Sequence, residues 1–185
     1  MAKVAQRVYV PLTAAGLRRA RDEGEFGPAP LHGHAVTPLL VEELTDGGPE
    51  PDQEECEYAA LTAAALESLL LLGPEDPPRR LVAALDVTSW EPRSATDDGT
   101  SAVTVTFPVP LRRLAALLVD APDAASDVAA ARDALRELSG AQVEATPEPV
   151  HRCFDHDLGW FAAQELGDVL DHLALGSAGG RATIG

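Results

Sequence analysis

Cysteine is nearly missing. Cys56 and Cys153 are the only two in 185 residues, too few for a disulfide framework, so a reducing compartment is the simpler expectation. Basic side chains are scarce as well: 14 Lys and Arg stand against 30 Asp and Glu, a formal charge of −16 with a pI near 4.5. Such a field gives no counterion release to drive binding to nucleic acid and repels anionic lipid headgroups, so neither is an expected partner. Long apolar runs are also lacking. The most apolar stretch, Leu61 to Leu72, is interrupted by Thr62, Glu67 and Ser68 and falls short of the roughly 20 residues that cross a bilayer. Residues 1–10 carry no apolar signal core or cleavage site, and a cytoplasmic protein is expected. A surface imitating a phosphate backbone for a basic protein is one functional use of this acidity, but solubility explains the same charge.

What is present suffices for a core: 45% of the residues are apolar and 24% charged, which reads as one globular domain over 1–175 with a flexible tail over 176–185. Val4 to Val10 alternates as a strand that Pro11 should end. Thr13 caps a short helix closed by Gly24, and 24–36, with its glycines and prolines, reads as an irregular connection. Thr37-Pro38 opens a second helix. Glu54, Glu55 and Glu57 then favour the start of the longest one, where Tyr58, Leu61, Ala65, Leu69 and Leu72 recur at helical spacing, widened by Leu66 and Leu70. That face is expected to lie against a sheet.

Leu81 to Val87 is a compact apolar run, hence a buried strand, and Ala102 to Phe107 alternates as a half-buried one. Residues 114–119 read as a strand, although Leu111 and Leu114 also fit a helical turn. Asp123 to Gly140 reads as a helix, Gln142 to Ala145 as an edge strand, and 161–174 as a last helix. Strands grouped in the middle of the order point to an α+β fold: a mainly antiparallel sheet of four to five strands with helices packed on one face.

Candidate chemistry is sparse. His34, in the 24–36 connection beside His32, has the side chain of an acid or base, and Asp86 and Asp120 stand at strand ends where carboxylates can serve a cleft. Loop and turn roles explain the same residues. The pairs Arg79, Arg80 and Arg112, Arg113 would make an anion site if they converged, although local carboxylates should absorb them. His151, Cys153 and His156, near Asp157, are zinc-ligand types at an unorthodox spacing that only a loop could bring together. They read as surface histidines beside a buried cysteine, and no metal or cofactor is expected. The glycine-rich phosphate loops, the serine elbow and the paired-histidine metalloprotease motif are all absent from the sequence.

The strings RVYVPLT at 7–13, GHAVTP at 33–38, EYAALTAA at 57–64, PRRLVAALDV at 78–87 and DLGWFAAQEL at 157–166 resemble an uncharacterised actinobacterial family. The resemblance implies a bacterial cytoplasmic protein and carries no catalytic residue with it. The leading expectation is a small non-enzymatic protein that binds another protein, possible also as a homo-oligomer. The alternative is an enzyme or small-ligand binder with a site under the 24–36 segment, using His34 with Asp86 or Asp120.

Overall fold

The apolar run at 81–87 sets the middle of the molecule. In the computed structural model, which describes residues 5–93, 99–138 and 146–177, strand β1 (Gln6–Leu12) pairs antiparallel with β4 (Leu81–Val87) from Gln6 opposite Val87 to Leu12 opposite Leu81. Every β4 residue except Asp86 is buried, because Leu81, Ala83, Leu85 and Val87 enter one apolar cluster while Val82 and Ala84 enter another. A strand apolar on both sides needs cover on both sides. Helices α1 (Ala14–Glu23) and α6 (Leu166–Ser177) cover the first face with Leu17, Ala20, Val169, Leu170 and Leu173. Helices α2 (Pro38–Thr45) and α3 (Gln53–Leu71) cover the second with Leu40, Ala60, Ala64 and Ala65. The fold is α+β as expected, but the helices occupy both faces of the sheet, and the expectation of one face is corrected by the apolar side chains that β4 presents in both directions.

The sheet is also larger than expected, with seven strands in the order β5-β6-β3-β1-β4-β8-β9. Besides β1 and β4 it contains β3 (Leu31–His34), β5 (Glu91–Pro92), β6 (Ala102–Val105), β8 (Leu114–Asp120) and β9 (Leu158–Ala162), and its pairings are antiparallel. The segment read as irregular, 24–36, contributes β2 (Glu25–Phe26), which pairs with β7 (Val109–Pro110), and then β3 inside the main sheet. Strand β9, at one edge, carries too little alternation to announce itself. Pro11 does not end β1. It sits opposite Val82, while β3 meets β1 at Tyr9 opposite His34, so on that flank the ladder no longer needs the N–H that proline lacks.

Local signals hold where they rest on capping. Thr37 accepts the Leu40 N–H with Pro38 in the first turn, and Asp52 with Glu55 closes a reciprocal capping box on α3. A third apolar cluster joins Leu69 and Leu72 to α4 (Ala125–Glu137) and to α5 (Glu148–Phe154), a short helix the sequence reading did not anticipate. The last helix starts at Leu166 and runs through Gly176. Gly140, the edge strand expected at 142–145 and the tail from 178 onward lie outside the described residues.

Gly33 is where β3 and β1 come closest: a Cβ there would stand 2.8 Å from both the Tyr9 carbonyl oxygen and Val8 Cγ1. Gly33→Ala is therefore expected to cost about 1–3 kcal/mol through forced displacement of backbone. In urea the midpoint should fall with the slope unchanged; an unchanged midpoint would contradict this packing.

Candidate functional site

Helix α3 turns mainly small side chains to the sheet and leaves several large ones in water, with Leu69 buried in the third cluster. Its buried positions include Ala60, Ala64, Ala65 and Ser68, whereas Tyr58, Leu66, Leu70 and Leu71 are exposed, Tyr58 by 61% and Leu70 by 60%. The helix does lie against the sheet, as expected. The expected inward stripe, however, is corrected at Tyr58, Leu66 and Leu70, because alanine-sized groups allow a closer approach and the bulkier residues take the other side. From that close position three polar side chains of α3 reach the strands. Ser68 Oγ donates to the Leu12 carbonyl and accepts the Leu81 N–H, each at 2.9 Å.

Glu67 reaches His34. The imidazole is 5% exposed, with Nε2 at 2.9 Å from Glu67 Oε2 and Nδ1 at 2.9 Å from Ser101 Oγ. An ionised carboxylate only accepts, so Nε2 donates to Glu67, while the Ser101 hydroxyl, which can donate or accept, meets Nδ1. The hydrogen bond from His34 holds Glu67 below the ordinary carboxylate value against the opposing effect of burial. Serine, imidazole and carboxylate in series are the groups of acyl-transfer catalysis, but here the direction is reversed. Ser101 is the sealed end, 4% exposed, and half-buried Glu67 faces a cleft of 460 Å³ lined also by Ala63, Leu66, Leu70 and Arg93. What the series offers to the cleft is a fixed charged carboxylate, not a nucleophile.

A second cleft of 640 Å³ opens where β1 begins and β4 ends, under α2 and the first turns of α3. Asp86 is there, paired to Arg7 at 2.8 Å. The Tyr9 hydroxyl donates to Glu57 across 3.4 Å, and burial, followed by the charge of Glu57, pushes the phenol up to about 12. Burial also raises the Cys56 thiol, helped by surrounding carboxylates.

His34 bonds neither Asp86 nor Asp120. Asp120 is taken by Arg80: Nη2 to Oδ1 is 2.7 Å, the Arg80 N–H donates to Oδ2 at 2.6 Å, and neither side chain exceeds 1% exposure. Burial works against the Arg80 charge, yet Asp120 outweighs it and holds the guanidinium firmly protonated. Arg80 also donates to the His156 carbonyl at 2.7 Å and stacks over Phe154 at 4.8 Å, and Arg79 donates to the Asp120 carbonyl. Because Leu81 faces Val119 and Leu85 faces Leu114, Arg79 and Arg80 lie at one end of the β4–β8 pair. The exposed Arg112 and Arg113 precede its other end, so the two arginine pairs do not converge.

His151 is exposed on α5, while Cys153 of the same helix is buried, its thiol pushed up to about 11 by burial. His156 Nε2 lies 2.9 Å from Asp127. Among the described residues no group of three His, Cys, Asp or Glu side chains is placed to hold a metal ion. Sequence reasoning missed Glu67, Ser101 and Tyr9, and singled out Glu57 chiefly as a charge favouring the helix start; for Glu67 the available signal was its charge inside the most apolar stretch of the chain.

Fold and site together define an α+β protein in which two clefts flank one helix, each walled by a carboxylate of that helix held to a sheet residue. The chain belongs to a family of unknown function, DUF6912, which matches residues 6–170. No curated protein and no solved structure matches it. Among the described residues no helix is long and apolar enough to cross a membrane.

Two stability measurements test these contacts. Asp120→Ala strands a buried guanidinium and is expected to cost about 3–5 kcal/mol, whereas Arg80→Met combined with Asp120→Leu should cost less; the opposite ranking would show that the pair is not desolvated. Glu67, depressed below its usual 4.5, stays charged in the folded chain at a pH where the unfolded chain protonates it. Its contribution is therefore full above that value and is lost as pH falls through the folded one. Thermal melts should show Glu67→Gln less stable than the parent near neutral pH, with the gap closing in acid; a gap independent of pH would refute the ionised contact.

Proposed function

We propose that the protein acts by binding another protein through the outward face of α3, without catalysis. The observation that carries this is the outward side of α3: Ala60, Ala64 and Ala65 dock the helix on the sheet, while Leu66 and Leu70 are left exposed to water. Leu66 and Leu70 stand one turn apart and line one cleft together, and exposed leucines gathered in this way mark a contact surface. Leu66 and Leu70 also wall the cleft that holds Glu67, so a partner can insert an apolar side chain there and meet a fixed negative charge. The chain's surplus of acid and that carboxylate together favour a basic amphipathic segment. The setting is a single domain over 1–175 in the cytoplasm, supported by the low cysteine content and the acidity.

A second reading, a small-ligand site in the same cleft beside β3, has one observation in its favour. His34 and Ser101 fix the rotamer and charge of Glu67 more tightly than a peptide contact requires.

The test is Leu66→Asp together with Leu70→Asp. Both positions are exposed, so the melting curve should shift by no more than about 0.5 kcal/mol in stability. Cross-linking in the native cell with parent and variant as baits should show a basic protein joined to the parent and lost from the variant. An identical set of cross-linked proteins would reject the proposal, and a dimer seen by light scattering for the parent alone would replace the partner with a second copy of the chain.

A further inference from the structure

We infer that the larger cleft, at the start of β1 and the end of β4, is a binding site for a small organic cation, an amine with an apolar or aromatic body. This inference is independent of the partner-binding role, which concerns the other side of α3.

The cleft measures 640 Å³ and is walled by Tyr9, Trp90, Val36, Val41, Glu50 and Glu57, a volume and a mixture of apolar and polar groups that suit a small molecule. Its charges do not balance. Among the described residues Arg7 is the one basic residue in the lining, and it is paired with Asp86 at 2.8 Å. That leaves Glu50 and Glu57 with no ion-pair partner among the described residues of the cleft. Glu57 fills one oxygen well, accepting from Gln53 Nε2 at 2.7 Å, but its other oxygen has only the Tyr9 hydroxyl at 3.4 Å, too long to use up its accepting capacity. An ammonium group placed there would gain a charge-assisted hydrogen bond, and its carbon body would lie on the half-buried Trp90, Val36 and Val41. An indole face is also the best side-chain surface for a cation.

The alternatives fit less well. Phosphates and carboxylates meet two uncompensated negative charges, and the positive end of α3 nearby is already occupied by Asp52 and Glu55. A bare metal ion lacks its ligand set, since no group of three suitable side chains exists among the described residues. Covalent chemistry is disfavoured because the Tyr9 phenol and the Cys56 thiol are both held protonated, by burial first and then by the surrounding carboxylates.

The experiment compares phenethylamine with phenylacetate, which share a ring and differ in the sign of their charge. Trp90 and Trp160 are the two tryptophans, so a Trp160→Phe background leaves Trp90 as the sole fluorescent reporter. Phenethylamine should give a saturable change in Trp90 emission and phenylacetate none, and Glu57→Gln should weaken the amine about ten-fold. Should Glu57→Gln fail to fold, Glu50→Gln, at an exposed position, is expected to give a smaller weakening. Equal response to both probes, no response to the amine at millimolar concentration, or undiminished binding in the glutamine variant that folds would each overturn the inference.

Discussion

How closely α3 can approach β1 and β4 decides most of what this molecule presents to its surroundings. Ala60, Ala64, Ala65 and Ser68 form the inward side of the helix, and only from a short distance can a serine hydroxyl link the last residue of β1 to the first of β4. The same closeness brings Glu67 to His34 and Glu57 toward Tyr9. A larger residue at any of the alanines would lift the helix and loosen all three contacts together, because close-packed interiors do not absorb added volume without displacement. Leu66 and Leu70, on the side of α3 turned away from the sheet, are consequently left exposed, so that exposed pair and the two carboxylate-walled clefts share one cause.

That cause also explains which parts were legible in the sequence. Leu81–Val87 and the helix starts at Thr37 and at the Glu54, Glu55, Glu57 cluster were readable because hydrophobic runs, capping and acidic first turns are local signals. The strand at 114–120 resolved in favour of its Leu117-Leu118-Val119 core, with the helical alternative reduced to a short 3₁₀ turn at Leu111–Arg113. By contrast β3, with the sequence LHGH, has no alternation to detect, and it is a strand because β1 and β6 flank it and Gly33 fits against Val8 and Tyr9. Helical periodicity showed that α3 is apolar, but alanine and leucine count alike in such a pattern, and only packing chooses which of them faces the sheet.

The site divided in the same way. His34 could be singled out by residue type, whereas Glu67 and Ser101 become its partners through the fold, 33 and 67 residues away in the chain. Asp86 and Asp120 were noticed for their positions at strand ends. Their partners, Arg7 and Arg80, follow from register, which no local pattern supplies.

Register is where those two ion pairs matter most. Because β4 is apolar on both faces, sliding it along its neighbours would cost little in buried area, and burial alone specifies its alignment weakly. Arg7 lies directly opposite Asp86 and fixes β4 against β1 at one end. Arg80 and Asp120 fix it against β8 at the other, and a slip there would leave two buried charges without partners. A buried pair of this kind adds little net stability over an apolar replacement, but it penalises the wrong alignment heavily. The charges that sequence reading flagged as candidates for chemistry at Asp86, Asp120 and Arg80 are thus tied into cross-strand pairs that favour one register over others, whereas Glu50 and Glu57 have no such pair among the described residues.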